Sequence, residues 1–148
     1  MKNLVVAKFG GSAIGIDGKM IPVIVKRINQ LKSDSKVIAV FSAPLTLYEG
    51  KQRSLTDIAL IIGQKAQTGQ IPNMDELKKP YQKILEFINK ENQEKCKKII
   101  DSFLEKASKS IKQAAEKKEF ADSIFLSVII GHASNPTTSD FTLALFRT

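Results

Sequence analysis

The chain has 148 residues, 43% of them hydrophobic and 26% charged, which suits one compact unit with a single core and excludes a low-complexity or disordered protein. A net charge of +8 admits an anionic partner, while one cysteine and one histidine exclude an internal disulfide and argue against a soft-metal centre. No apolar run approaches the roughly 18 residues of a membrane helix, and the start reaches Gly10 soon after four apolar residues, so neither a membrane span nor a secretory leader is expected and the chain reads as cytoplasmic.

Residues 4–7 form a continuous apolar strand that ends at Lys8 and runs into Phe9, Gly10, Gly11 and Ser12. Residues 20–31 carry Ile21, Ile24, Val25, Ile28 and Leu31 at helical spacing. Pro22 falls in the first turn, where a missing N–H costs nothing. Residues 36–41 make a second apolar strand, closed by Ser42, Ala43 and Pro44. Residues 54–67 make a second helix, with Ser54 as N-cap and Asp57 three residues on in a near capping box. Strand, helix, strand, helix predicts a βαβα unit with parallel strands covered on both faces. Ligands bind at the carboxyl ends of such strands, where Lys8–Gly11 and Phe41–Ala43 stand.

Two lysine-rich helices follow. Leu77, Tyr81, Ile84, Leu85 and Ile88 mark one apolar stripe. Ile99, Ile100, Phe103, Leu104, Ala107, Ile111 and Ala114 mark the other, with the break between them at residues 89–93. These helices are read as an excursion, residues 72–120, from one domain spanning 1–148. Residues 78–118 hold twelve lysines against six acids, so most of the charge excess sits here. Arginine and aromatic residues, which read or stack bases, are nearly absent from it. A solvated helix face is the preferred reading, and no specific nucleic-acid partner is expected. Cys96, among lysines, reads as an ordinary helix residue. Residues 123–130 return as a strand, and a helix starts near Ser139.

Two glycines after a strand let backbone N–H groups approach an anion, a following helix adds its positive end, and Lys8 adds a full charge. Such parts suit phosphoryl transfer, where catalysis is mostly positioning and charge neutralisation. A tight strand-to-helix turn with an extended lysine explains the same residues equally well. The spacing matches neither the P-loop nor the dinucleotide fingerprint.

The stretch VVAKFGGSAIG resembles the opening of the amino acid kinase family, and looks most like that of aspartate kinases, typically Lys-Phe-Gly-Gly-Thr-Ser-Val. The second strand, with Ser42-Ala43 and then Thr56-Asp57 opening a helix, is similar to the family's next motif, here extended by LTLYEGKQRS. The resemblance covers residues 1–130. It implies a three-layer α/β sandwich around a mainly parallel sheet, and transfer of the ATP γ-phosphoryl group to the β-carboxylate of aspartate, the first step toward lysine, threonine and methionine. It also implies catalysis by Lys8, phosphate binding by Lys8, Phe9, Gly10, Gly11 and Ser12, and aspartate binding by Ser42, Thr56, Ser139 and Asp140. ATP would bring Mg²⁺ on its phosphates, with no protein metal site. A homo-oligomer is expected.

The chain also departs from the family. Gly131-His132 stands where the resemblance calls for Gly-Glu, and residues 139–142 echo a later motif without its arginine or glycines. The stretch that supplies more sheet, the catalytic aspartate and most of the nucleotide site is missing between them, as are the regulatory domains. The chain is therefore expected to be a truncated or degenerate member with little activity of its own. Two alternatives remain open: a family member with another acidic acceptor, and an inactive phosphate-binding association module.

Overall fold

A computed structural model describes residues 2–119. The expected βαβα order is present. Strand β1 (Asn3–Phe9) leads through the single-turn helix α1 (Gly11–Ile14) to α2 (Ile21–Asp34), and β2 (Ser35–Phe41) follows. The strands pair in parallel, Asn3 opposite Ser35 through Phe9 opposite Phe41. Helix α2 starts with Pro22 in its first turn and buries Ile21, Ile24 and Ile28.

That helix covers one face of the sheet. Ile14, Ile21, Ile24, Ile28 and Ile84 form a core with Phe9, Val37, Ala39 and Phe41 packed against it. Phe9 and Phe41, opposite each other in the register, stack with ring centroids 5.3 Å apart. Covering on both faces was expected. Among the described residues only this face is covered, and Leu4, Val6, Ile38 and Val40 on the other remain 64%, 63%, 50% and 45% exposed. The strands consequently alternate in burial although their sequences are apolar on both sides.

The stretch read as an extension folds as an antiparallel hairpin, β3 (Leu45–Tyr48) and β4 (Lys51–Ser54). Its two-residue turn places Glu49 at φ 50° and Gly50 at φ 75°. Positive φ at both central positions matches the twist of the flanking strands. Helix α3 (Leu55–Gln67) follows, then α4 (Asp75–Leu85) and the 28-residue α5 (Lys90–Lys117). The break between the lysine-rich helices spans residues 86–89, slightly earlier than expected.

A second core joins these helices to the hairpin. Tyr48, Leu55, Ile58, Ile62, Leu77, Phe103, Leu104 and Ile111 are among its buried members. On α5 the buried residues Cys96, Ile100, Phe103, Leu104, Ala107, Ile111, Ala114 and Ala115 form one stripe, and the lysines lie on the exposed remainder. Helix α4 connects the two cores: Leu77 packs in one, Ile84 in the other, and Tyr81 lies against both. Tyr81 meets Phe103 edge-on at 6.0 Å, and burial pushes its hydroxyl pKa up to about 12. The protein is thus a mixed α/β molecule with one parallel and one antiparallel strand pair among the described residues.

Candidate functional site

The carboxyl ends of β1 and β2 carry the candidate site. Alternation along β1 turns Phe9 toward α2 and leaves Lys8 on the uncovered face, beside Val40 in the register. No acid pairs with Lys8 among the described residues, so its charge is free for a ligand. The ring of Phe9 is occupied by Phe41, and its carbonyl accepts the Ser42 N–H at 2.9 Å. Only the backbone of Phe9 can therefore serve an anion.

The two glycines have different surroundings. Gly10, extended at φ −72° and ψ 166°, is the N-cap of α1, and a Cβ there would meet nothing within 4 Å. A Cβ on Gly11 would stand 2.8 Å from the Ala43 carbonyl oxygen and 3.3 Å from Leu45. Gly11 thus lets the two strand-end loops touch, whereas Gly10 leaves open space. The first-turn N–H groups of Gly11, Ser12 and Ala13 precede the first intrahelical bond, Ile14 N–H to Gly10 O. Ser12 is exposed on this turn.

Ser42 is exposed at the end of β2, one residue from the Gly11 contact. The loop continues to Pro44, whose carbonyl accepts the Leu55 N–H at 3.1 Å and so ties the start of α3 to the same end of the sheet. The capping box is complete: Ser54 Oγ accepts the Asp57 N–H at 3.1 Å, and an Asp57 carboxylate oxygen accepts the Ser54 N–H. Thr56, half-buried in the first turn, is carried by this arrangement. Lys8, Gly10, Gly11, Ser12, Ser42 and Thr56 therefore all belong to elements joined at one end of the sheet. Ser139 and Asp140, together with Gly131-His132, the strand expected at 123–130 and the helix expected from Ser139, lie outside the described residues.

Sequence reasoning missed a latch behind these loops. Ile16 bridges to Leu45, and the Asp17 N–H donates to the Leu45 carbonyl at 2.7 Å. Thr46, only 5% exposed, donates its hydroxyl to Asp17 Oδ1 at 2.6 Å, and Lys83 Nζ donates to Oδ2 at 2.6 Å. Burial works to raise the Asp17 pKa, but the hydrogen bonds from Lys83 and Thr46 and the Lys83 charge outweigh it and hold it below the ordinary carboxylate value. Asp17 sits at φ 54° and Gly18 at φ 77°, so backbone strain is accepted where the carboxylate pins the loop after α1 to the hairpin and α4. An Asp-Gly dipeptide favours a turn, but nothing local in the sequence identifies Thr46 and Lys83 as partners of Asp17.

A cleft of about 290 Å³ opens between the hairpin and α4, lined by Thr46, Leu47, Glu76, Lys79, Pro80, Gln82, Lys83 and Glu86. It contains none of the strand-end residues, and its charged lining is two acids, Glu76 and Glu86, and two lysines, Lys79 and Lys83. Among the described residues no three His, Cys, Asp or Glu side chains form a metal-binding group. Cys96 is fully buried, and burial raises its thiol pKa.

In this α/β protein an exposed lysine, an open glycine and first-turn N–H groups with no intrahelical partner come together at the end of a parallel strand, the parts from which an anion site can be built. A sequence model of the amino acid kinase family matches residues 3–138. The chain belongs to that family, and phosphotransferase chemistry is the class of activity it brings. No curated protein matches the chain. Among the described residues no helix is long and apolar enough to cross a membrane.

Proposed function

We propose that the chain is an aspartate kinase, or the amino-terminal part of one, acting in the cytoplasm to transfer the γ-phosphoryl group of ATP to the β-carboxylate of aspartate. The observation that carries this reading is Lys8 at the end of β1, without an acid partner among the described residues, next to a Gly10 with nothing within 4 Å of its missing side chain. The Phe9 that distinguishes the motif stacks on Phe41 and fixes the direction in which Lys8 leaves the strand.

In this reading Lys8 neutralises charge on the phosphoryl group in transfer, and the backbone at Gly10, Gly11 and Ser12 donates to phosphate oxygens. Bound Mg²⁺, held by the nucleotide phosphates, would offset the remaining negative charge. Ser42 and Thr56 hold the aspartate, and Ser139 and Asp140 complete its surroundings. The family's three-layer sandwich would supply a covering layer on the side of the sheet that is open among the described residues.

A coupled assay of ADP release with aspartate, and with other carboxylates as acceptors, tests the acceptor. Titration with ATP and Mg²⁺ tests the phosphate site separately. Lys8→Ala lowers any turnover by orders of magnitude and weakens nucleotide binding while leaving the thermal unfolding curve in place. A Lys8→Ala protein with wild-type nucleotide affinity would remove the role assigned to this lysine.

A further inference from the structure

The turn that carries Gly10 and Gly11 does not hold itself in place. Helix α1 is a single turn, closed by Ile14 N–H to Gly10 O at 3.0 Å and Gly15 N–H to Gly11 O at 2.9 Å, and so short a helix is not stable on its own. The loop after it takes positive φ at Gly15, Asp17 and Gly18, so local preference does not fix its path either. Contact with the hairpin and α4 fixes both. Leu45 touches the segment before and after the helix: a Cβ on Gly11 would stand 3.3 Å from the Leu45 side chain, and the Leu45 carbonyl accepts the Asp17 N–H at 2.7 Å. Gly18 lies so close to α4 that a Cβ there would stand 2.9 Å from Ile84. The Asp17 carboxylate joins the two supports. One oxygen accepts the Thr46 hydroxyl from β3 and the other the Lys83 ammonium from α4, each at 2.6 Å.

We propose that Asp17 is a positioning residue for the strand-end anion site: with Thr46 and Lys83 it holds the turn at residues 10–14 in the arrangement that meets a phosphate group beside Lys8. The three side chains act through the turn and touch no ligand themselves. Two charge-assisted bonds from two separate elements fix the loop in direction as well as distance. Anion affinity at one end of the sheet therefore depends on a lysine of α4, 66 residues from Asp17 in the sequence. The inference rests on the anion site proposed above, and one of its two readouts needs no ligand.

Two measurements on the whole chain test it. The first is hydrogen exchange at the Ile14 and Gly15 amides without ligand. The second is affinity for ATP with Mg²⁺, and for inorganic triphosphate, by calorimetry. Thr46→Val keeps the shape and removes the hydroxyl, Asp17→Asn removes the negative charge, and Lys83→Met removes the cation but keeps the stem. Each should speed exchange at both amides about 10-fold and weaken both probes at least ~5-fold. Thr46→Ser, which keeps the hydroxyl, should behave as the wild type. Two controls should move neither readout: Lys79→Met, which removes an exposed lysine of α4 outside the latch, and Ile111→Val, which lowers stability in the other core. Charge alone predicts the opposite sign for Asp17→Asn, because losing a carboxylate strengthens anion binding. Tighter binding by Asp17→Asn would therefore overturn the proposal. So would exchange at Ile14 and Gly15 no faster than in Ile111→Val, or a loss in Thr46→Val that Thr46→Ser shares in full. A wild type that binds neither probe would sink the anion site itself; faster exchange in the three variants would still assign Asp17 to the turn, and unchanged exchange would sink both.

Discussion

The adjacent glycines at 10 and 11 look interchangeable in the sequence, and the structure separates them. Gly11 is glycine because the Ala43 carbonyl lies 2.8 Å from where a Cβ would be. Gly11→Ala must displace backbone and should cost about 1–3 kcal/mol in chemical denaturation. Gly10→Ala meets nothing, so stability should move by no more than about 0.5 kcal/mol while nucleotide affinity falls. Equal losses of stability in the two variants would show that Gly10 is also a packing residue. Asp17 gives a second contrast, this one with pH. Its folded pKa is depressed, so its contribution is complete above the unfolded value of about 3.9 and is lost as pH falls through the folded value. Asn tolerates the positive φ that Asp17 adopts, so Asp17→Asn removes the charge with little added backbone strain. It should cost about 1–2 kcal/mol at pH 7 and progressively less below pH ~4, read from denaturation midpoints across that range. A difference that persists unchanged at pH 2–3 would mean that the carboxylate charge is not what holds the latch.

At the scale of elements, Ser54 does two jobs: it ends the hairpin and caps the helix that carries Thr56. Ser54→Ala should lower stability by about 1 kcal/mol and increase amide exchange in the first turn of α3. An unchanged exchange rate there would show that the Leu55–Pro44 bond alone anchors the helix. This cap was legible because a capping box is local, a serine followed at three residues by an acid. The stripes of α2, α4 and α5 were legible for a similar reason, since one buried face repeats every three or four residues. The hairpin was not. Its turn is Glu49-Gly50, outside the usual Asn-Gly and Asp-Gly pairs, and its four-residue strands are too short to show a period. The latch was invisible because Lys83 lies 66 residues from Asp17. Among the candidate site residues, proximity of the strand ends followed from parallel pairing, but the packing duty of Gly11 required the position of Ala43.

On the scale of the whole molecule, charge and function are distributed differently. The net charge of +8 is dominated by the lysine-rich stretch that becomes α4 and α5, while the candidate anion site uses one lysine at the other end of the sequence. Helix α5 buries its apolar stripe, so Lys95, Lys97, Lys98, Lys106, Lys109 and Lys112 are left on an exposed surface, where Glu105 and Lys109 form an i,i+4 pair at 2.9 Å. Such a surface attracts any polyanion through counterion release, with little preference for sequence because it offers neither arginine forks nor exposed aromatic rings. Two kinds of anion binding should therefore separate. Lys8→Ala should weaken nucleotide binding and leave adsorption to duplex DNA intact. Lys97→Glu with Lys98→Glu and Lys112→Glu should do the reverse. DNA affinity should fall steeply and linearly on a log–log plot against salt, and shuffled duplexes should bind alike. Nucleotide binding that is lost with the α5 charges but kept in Lys8→Ala would move the anion site off the strand ends. Sequence-dependent DNA binding at physiological salt would instead make the helical surface, and not Lys8, the functional face of the protein.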